Sequence, residues 1–316
     1  MKAIVQNGYG SAEVLTLAEV DKPAVEDGEV LVRVRATSIN AGDYFSMRGR
    51  PWLIRFSVGF PRPKNYILGW DAAGTVEEVG NGVTGLRPGD EVFGAAAAAF
   101  AEYACAPEGV LGPKPANLSF EQAAAVPTAA LTALQGLRNT GEVRGQKILV
   151  NGASGGVGTF VVQIAKVLGA EVTGVCSGKN ADLVRSLGAD HVIDYTRDDF
   201  TRGKERYDLI MDQVGNHSPS ALRRVLTSAG RIQPNSGHGG MGYVFESLLL
   251  SLFTRRHGKL FVADSNRKDM IALKDLIGAG KVIPVIDRTY PLSDVPQALG
   301  YAEQGHVPGK VVIAVQ

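Results

Sequence analysis

KILVN-GASGGVG-TFVVQIAK, residues 147–166, is the stretch that decides the fold of this chain. The apolar run at residues 147–151 has the composition of a buried strand. A glycine-rich turn at residues 152–158 follows at once, and residues 160–166 continue with a helical pattern. A strand, a glycine-rich turn and a helix in this order are the context that the dinucleotide-binding fingerprint requires.

Three glycines of the turn have a physical use in binding a phosphate. Gly155 and Gly156 let the backbone approach a pyrophosphate, and Gly158 allows the helix to pack closely on the strand. Ala153 stands where the first glycine of the fingerprint usually stands. The helix N-terminus offers free N–H groups and the positive end of its dipole. We therefore predict that the turn binds a pyrophosphate, with a simple tight turn as the alternative; the predicted contacts are Ser154, Gly155, Gly156, Val157 and Gly158.

The next strand indicates which dinucleotide is bound. An NAD enzyme normally carries an acidic residue about 20 residues after the turn, where it binds the adenosine ribose. Here the strand at residues 171–176 runs into Ser177, Gly178 and Lys179 without an acid. Ser177 offers a donor and Lys179 a positive charge to a 2′-phosphate. This favours NADPH over NADH, unless Lys179 is an ordinary solvated lysine.

The rest of the sequence predicts an α/β protein of two domains. A chain of 316 residues with 45% hydrophobic content is longer than one hydrophobic core usually supports. Residues 29–36 alternate apolar and polar residues, which indicates a β-rich first domain. From about residue 122, buried strands alternate with helical patterns, as in a doubly wound parallel sheet.

Composition excludes several classes of function. A formal net charge of +1 supplies no field that would hold nucleic acid or an anionic membrane surface. The two cysteines, Cys105 and Cys176, have no metal-ligand spacing. The first residues lack the apolar core of a signal peptide, and no apolar run reaches membrane-spanning length. We expect a cytoplasmic protein that acts on a small molecule.

Several segments together resemble the medium-chain dehydrogenase/reductase superfamily, in its zinc-free quinone oxidoreductase branch. The resemblance covers essentially the whole chain and is carried by residues 1–5, 40–43, 68–74, 88–94, 151–158, 177–179, 186–195 and 309–312. It implies a GroES-like β-rich catalytic domain formed by residues 1–121 and 263–316. A Rossmann domain that binds NADPH, residues 122–262, is then inserted between them. The resemblance also implies a homodimer, and the apolar segment 244–252 is expected to be buried against a domain or a subunit.

The sequence departs from that of related alcohol dehydrogenases at the positions of their catalytic zinc ligands. Asn40 stands for the cysteine, Trp70-Asp71 for a His-Glu pair, and Thr128 for the third ligand. We therefore expect no bound metal. Reduction of an ordinary ketone develops charge on its oxygen that zinc would stabilise by several kcal/mol. A quinone or an α,β-unsaturated carbonyl disperses that charge by conjugation, so the chain is expected to transfer hydride from NADPH to such an acceptor.

The resemblance also assigns candidate site residues. Asn40 lies near the nicotinamide and can donate to the developing oxyanion, and Tyr44 or water can supply the proton, although Tyr44 is at least as well explained as a core residue. Lys310 is better explained as a solvated lysine on an edge strand than as part of the pocket. The remaining cofactor contacts are Tyr195 near the 2′-phosphate, and Thr132, Val214, Gly215, Asn235 and Ser236 near the nicotinamide.

Two other functions stay open. An enoyl thioester reductase would need basic residues for a phosphate arm, and the segment before Gly69 contains Arg48, Arg50, Arg55, Arg62 and Lys64. A crystallin-like protein would bind NADPH with little turnover.

Overall fold

The computed structural model describes residues 1–64, 66–235, 240–254 and 256–315. The chain forms two compact units. The first unit contains Met1–Leu131, Asp264–Gly280 and Pro284–Gln316. The second contains Thr132–Ala263 and Lys281–Ile283. The sequence placed the domain boundaries after residues 121 and 262.

The N-terminal part of the chain is rich in short strands, and its β3 strand shows why. Val32 and Val34 of β3 are buried, whereas Arg33 and Arg35 are exposed, so the alternating sequence gives the strand one apolar face. The elements are β1 (Lys2–Gln6), β2 (Leu15–Glu19), β3 (Glu29–Ser38), α1 (Ala41–Arg48), α2 (Arg55–Val58), β4 (Asp71–Val79), β5 (Glu91–Ala95), β6 (Tyr103–Pro107), β7 (Leu111–Pro113), α3 (Phe120–Ala124) and α4 (Pro127–Asn139).

The middle of the chain alternates strands and helices. The elements are β8 (Lys147–Asn151), α5 (Gly156–Val167), β9 (Glu171–Cys176), α6 (Ala181–Ser186), β10 (His191–Asp194), β11 (Tyr207–Asp212), α7 (Pro219–Arg223), β12 (Leu226–Pro234) and α8 (Gly240–Phe253). The five strands form a parallel sheet in the order β10-β9-β8-β11-β12. The chain moves outward from β8 on one side and then crosses to β11 on the other, so β8 and β11 flank the switch point at which such sheets bind ligands.

The last part of the chain returns to the first unit. It comprises α9 (Arg267–Gly278), β13 (Ile286–Pro291), α10 (Val295–Glu303) and β14 (Lys310–Ala314). The first unit's main sheet has the order β13-β14-β3-β4-β5-β7, with β6 paired to β3. Apolar side chains of these strands pack with α10 in one core, for example Val32, Val76, Leu299 and Ile313. The strand β14 therefore lies inside this sheet, between β13 and β3.

The architecture is the predicted one: a mixed α/β protein with a GroES-like β-rich unit and a Rossmann unit. Among the described residues, no helix is both long and apolar enough to cross a membrane.

Candidate active site

The carboxylate of Asp71 is the centre of a buried polar cluster in the first unit. Asp71 begins β4 and is fully buried. Its Oδ1 accepts hydrogen bonds from the backbone N–H and the hydroxyl of Thr128, at 3.0 and 2.6 Å. Its Oδ2 accepts from Ser38 Oγ at 2.9 Å and from Asn40 Nδ2 at 3.0 Å. The positions that the resemblance aligned with zinc ligands, Asn40 and Thr128 among them, thus meet at one carboxylate.

Asn40 lies between the end of β3 and the start of α1. Its backbone N–H donates to Asp43 Oδ2 at 2.7 Å, which fixes the first turn of the helix. Its side-chain Nδ2 also contacts the carbonyl oxygen of Ser38, at a longer 3.4 Å. The residue is half-buried, so its amide lies at the border of the protein interior.

Lys310 is buried, and its interpretation as a solvated lysine on an edge strand was wrong. Only 4% of the residue is exposed. Its ammonium donates to the carbonyl oxygen of Ile39 at 2.8 Å and to Asn40 Oδ1 at 2.5 Å, and it lies 3.8 Å from Asp71 Oδ2. The reason is topological: β14 is an interior strand, and its antiparallel register on β3 pairs Val312 with Ser38. The same register places Lys310, two residues before Val312, beside Asn40, two residues after Ser38.

These side chains do not form a zinc ligand set. Zinc sites in proteins use thiolate, imidazole and carboxylate ligands, whereas Asn40, Trp70 and Thr128 offer an amide, an indole and a hydroxyl. A lysine ammonium already lies beside the carboxylate of Asp71. Across the part of the chain that the structure describes, no three His, Cys, Asp or Glu side chains form a group able to hold a metal ion.

Asp43 is a second buried carboxyl group in this cluster. The pKa of Asp43 is raised to about 7, mainly by burial and also by the negative charge of Asp71, while the N–H of Asn40 and the ammonium of Lys310 oppose the shift. Its Oδ1 accepts no hydrogen bond of good geometry from the described residues. Sequence analysis missed this group, because nothing in an Asp-Tyr-Phe segment indicates that the aspartate faces inward.

Tyr44 packs in the core of the first unit. Only 9% of it is exposed, and its ring meets Phe45 edge-on with centroids 4.9 Å apart. Burial raises the pKa of Tyr44, and the carboxylates of Glu303 and Asp43 raise it further. This placement favours a packing role over that of a proton donor.

In the second unit, the glycine-rich turn has the backbone that phosphate binding needs. Gly152 has a φ of +83°, and a Cβ there would lie 2.7 Å from Val214 Cγ2. A Cβ on Gly158 would lie 2.0 Å from the carbonyl oxygen of Gly152. The helix α5 begins at Gly156, directly after Ser154 and Gly155. The N–H groups of its first turn therefore face the glycine-rich turn, where a phosphate can bind.

The carboxylate of Asp212 organises the switch point beside that turn. Asp212 ends β11, pairs in register with Asn151 at the end of β8, and accepts from Asn151 Nδ2 at 2.9 Å. The N–H groups of Val214 and Gly215 also donate to it, at 3.2 and 3.0 Å, and Tyr243 donates its hydroxyl at 2.7 Å. Val214 and Gly215 are thereby held at the carboxyl edge of the sheet, as their sequence position predicted.

Two amide side chains at this edge have buried polar atoms. The amide atoms of Gln213 and Asn235 are buried and make no hydrogen bond with any residue that the structure describes. Buried polar groups are normally satisfied, so these amides fit a site that a polar ligand completes. Thr132 lies half-buried on α4, and Ser236 falls outside the described residues. Sequence analysis missed Gln213, although its position directly after a strand end was a usable signal.

The predicted 2′-phosphate site contains an acid that the sequence argument overlooked. Ser177 is half-buried, Lys179 is exposed, and 49% of Tyr195 is exposed. Asp194 ends β10, and its register opposite Cys176 brings its carboxylate close to Gly178, where a Cβ would lie 2.5 Å from Oδ2. No acid ends β9 itself, but the neighbouring parallel strand β10 supplies one. Hydrogen bonds from the hydroxyl and N–H of Thr196 lower the pKa of Asp194.

Comparison with known proteins agrees with this geometry. Residues 26–135 match the alcohol dehydrogenase GroES-like domain, and residues 187–313 match a zinc-binding dehydrogenase model. The 2-methylene-furan-3-one reductase of Solanum lycopersicum is 35% identical over 328 residues, covering 99% of this chain and 79% of that protein. The chloroplastic NADPH-dependent alkenal/one oxidoreductase of Arabidopsis thaliana is 34% identical with the same coverage.

A solved structure extends the likeness to three dimensions. The quinone oxidoreductase from Coxiella burnetii superposes with a TM-score of 0.91 at 30% identity, covering 100% of this chain and 99% of that one. The chain therefore belongs to the medium-chain dehydrogenase/reductase superfamily, in its quinone oxidoreductase-like branch. It is an oxidoreductase, and its cofactor is a nicotinamide dinucleotide.

The raised pKa of Asp43 predicts a specific dependence of stability on pH. Between pH about 4, the ordinary carboxyl value, and the value of about 7 in the folded protein, the folded state holds a proton that the unfolded state releases. The free energy of unfolding therefore falls as pH rises through this window. Asp43→Asn mimics the protonated acid, so we expect the variant to gain up to about 4 kcal/mol on the wild type between pH 4 and 8.

Chemical unfolding at several pH values measures this difference. Asp182→Asn, which changes an exposed carboxylate, is the control and should follow the wild type. Parallel curves for Asp43→Asn and the wild type would contradict the prediction.

Proposed function

We propose that this protein reduces small quinones or α,β-unsaturated carbonyl compounds with NADPH and without a metal ion. The observation that supports it most is the Asn40 amide, held by Asp71 and Lys310 where zinc-dependent relatives place a metal ligand. An N–H donor at this place can stabilise an oxyanion, but with less charge than a metal. A conjugated acceptor needs less stabilisation, because it spreads the developing charge itself.

The residues of the second unit have roles toward the cofactor. The N–H groups at the start of α5 would hold the pyrophosphate, and the loop that Asp212 fixes would border the nicotinamide, which supplies the hydride when bound. The buried amides of Gln213 and Asn235, which make no hydrogen bond with the described residues, lie at the same edge of the sheet. NADPH is proposed because the ammonium of Lys179 is exposed beside Ser177, where it can reach a 2′-phosphate.

The enoyl thioester alternative is less well supported. Two of the basic residues that it requires already have partners within the first unit: Arg48 makes a bidentate ion pair with Glu303. Arg55 donates to the carbonyl oxygen of Gly49 and lies 4.4 Å from the ring of Tyr9. These contacts leave fewer free charges for a phosphate arm.

A turnover assay with metal-stripped protein tests the proposal. We expect NADPH oxidation with a simple quinone or a short enone, unchanged by a chelator. Asn40→Ala should lower kcat about 100-fold, the usual effect of losing one oxyanion donor, while NADPH affinity stays near the wild-type value. Asn81→Ala, which removes an exposed amide, is the matched control. Tight NADPH binding with no turnover on either acceptor would indicate a binding protein instead.

Cofactor preference depends on the balance between Lys179 and Asp194. We expect Lys179→Ala to lower the ratio of NADPH to NADH affinity about tenfold, because the phosphate loses a charge partner. Asp194→Asn should shift the ratio the other way, since it removes a like charge. Fluorescence titration with both cofactors measures the ratio, and Lys204→Ala, another exposed lysine of the second unit, is the control. Equal ratios in all variants would contradict the assignment of the 2′-phosphate site.

We also propose that the protein is a homodimer whose contact includes α8. Leu252 and Phe253 are 68% and 80% exposed, and Phe245 and Leu248 add to the same apolar surface. A surface of this kind is unusual on a monomer. We expect light scattering to give twice the chain mass of 33.4 kDa, and Leu252→Glu to shift it toward one chain mass. Leu17→Glu, at an exposed leucine of the first unit, should have no effect, and a monomeric wild type would overturn the proposal.

A further inference from the structure

The Asn40 side chain is oriented by two charges of opposite sign. We propose that Lys310 and Asp71 are positioning residues that hold this amide with its oxygen inward, so that one polarised N–H is presented to the substrate oxygen. The inference deepens the proposed function and rests on it. A solvated lysine on an edge strand could not have this role.

The chemistry of the partners determines which way the amide points. An asparagine oxygen and nitrogen are hard to tell apart by shape, so hydrogen bonding has to decide. Here an ammonium, which only donates, lies 2.5 Å from Oδ1, and a carboxylate, which only accepts, lies 3.0 Å from Nδ2. The reverse orientation would place a donor against Lys310 and an acceptor against Asp71. Both contacts would then be repulsive, which fixes the orientation.

One N–H of Asn40 remains for a ligand. Its Nδ2 carries two protons, and the hydrogen bond to Asp71 uses one of them. Among the residues that the structure describes, the second proton has only the 3.4 Å contact with the carbonyl oxygen of Ser38, which is long for an N–H···O bond. A substrate oxygen at the border of the interior can replace this weak contact. The ammonium on Oδ1 withdraws electron density from the amide and strengthens the N–H as a donor.

The surroundings of Lys310 set the pH range in which its ammonium polarises the Asn40 amide. The charged groups that face it are Asp71 from β4 and Asp43 from the start of α1. Burial lowers the pKa of Lys310, and these two carboxylates oppose the shift. As pH rises, Lys310 loses its proton before an exposed lysine would, and the polarisation of Asn40 is lost with it. Activity should therefore fall on the alkaline side.

The main experiment is a double-mutant cycle between Lys310 and Asn40 in the full-length protein. We expect Lys310→Met to lower kcat about tenfold with NADPH affinity unchanged, and to add little further loss in an Asn40→Ala background. Lys310→Arg keeps the charge, so it should restore part of kcat and move the alkaline fall beyond the accessible pH range. Additive losses in the cycle would overturn the inference, because Lys310 would then act independently of Asn40.

A matched control separates positioning from general stability. Lys114 is a second lysine of the first unit whose side chain is largely covered: the side chain is 7% exposed, it donates to the carbonyl oxygen of Leu118 at 2.7 Å, and it pairs with Glu91. Lys114→Met should cost stability without changing the pH profile of kcat. If Lys310→Met does not fold, the wild type and Asn40→Ala suffice. The alkaline fall should be present in the first and absent in the second, and its persistence in Asn40→Ala would contradict the inference.

A readout without turnover distinguishes this inference from the proposed function. In protein labelled with ¹⁵N-asparagine, the Nδ2 protons of Asn40 are identified by their loss in Asn40→Ala. We expect Lys310→Met or Lys310→Arg to move them, upfield in the methionine variant, while Lys114→Met leaves them unchanged. A wild type without turnover but with these shifts would refute the quinone or enone activity alone. Chemical shifts of the Asn40 Nδ2 protons that do not change in the Lys310 variants would refute the positioning role, whatever the activity.

Discussion

A buried carboxylate is the constraint on which the first unit's site depends. An ionised carboxylate away from water is very costly unless hydrogen bonds and an opposite charge replace its hydration. Asp71 has both, because donors from β3, the segment after it and the start of α4 surround it, and Lys310 arrives from β14. The carboxylate of Asp71 also contacts the first turn of α4, where the positive end of the helix dipole stabilises a negative charge. The requirement to satisfy one side chain thus aligns four separate parts of the chain.

The second unit uses the same physical solution at a different strand end. Asp212 is fully buried at the end of β11, and its donors are a neighbouring strand end, a loop backbone and a helix tyrosine. Burial raises the pKa of Tyr243, which therefore stays a hydrogen-bond donor to Asp212 at neutral pH. In both units a buried carboxylate at a strand end accepts hydrogen bonds from a loop next to the place where a ligand is proposed.

The sequence predicted features that are local and missed those that depend on strand order. The turn at residues 152–158 was predictable because strand, glycines and helix follow each other directly. Asn40 and Asp71 were found through resemblance, and the structure explains their proximity by the pairing of Ser38 with Asp71 in adjacent strands. Lys310 was misjudged because an interior strand and an edge strand can have the same apolar sequence. Asp194 was overlooked because it ends a different strand, β10, whose register beside β9 is not given by the sequence.

The pairing of β14 with β3 has a consequence for how the protein is made. Asn40 and Lys310 are separated by 270 positions in the chain, so ribosomal synthesis delivers the carboxylate of Asp71 long before the ammonium that neutralises it. Until β14 joins the sheet, that carboxylate cannot be buried with its opposite charge, which carries a large penalty, so the polar cluster of the first unit is completed late in synthesis. A chain that stops before β14 therefore lacks the ammonium that contacts Asn40 and lies beside the carboxylate of Asp71.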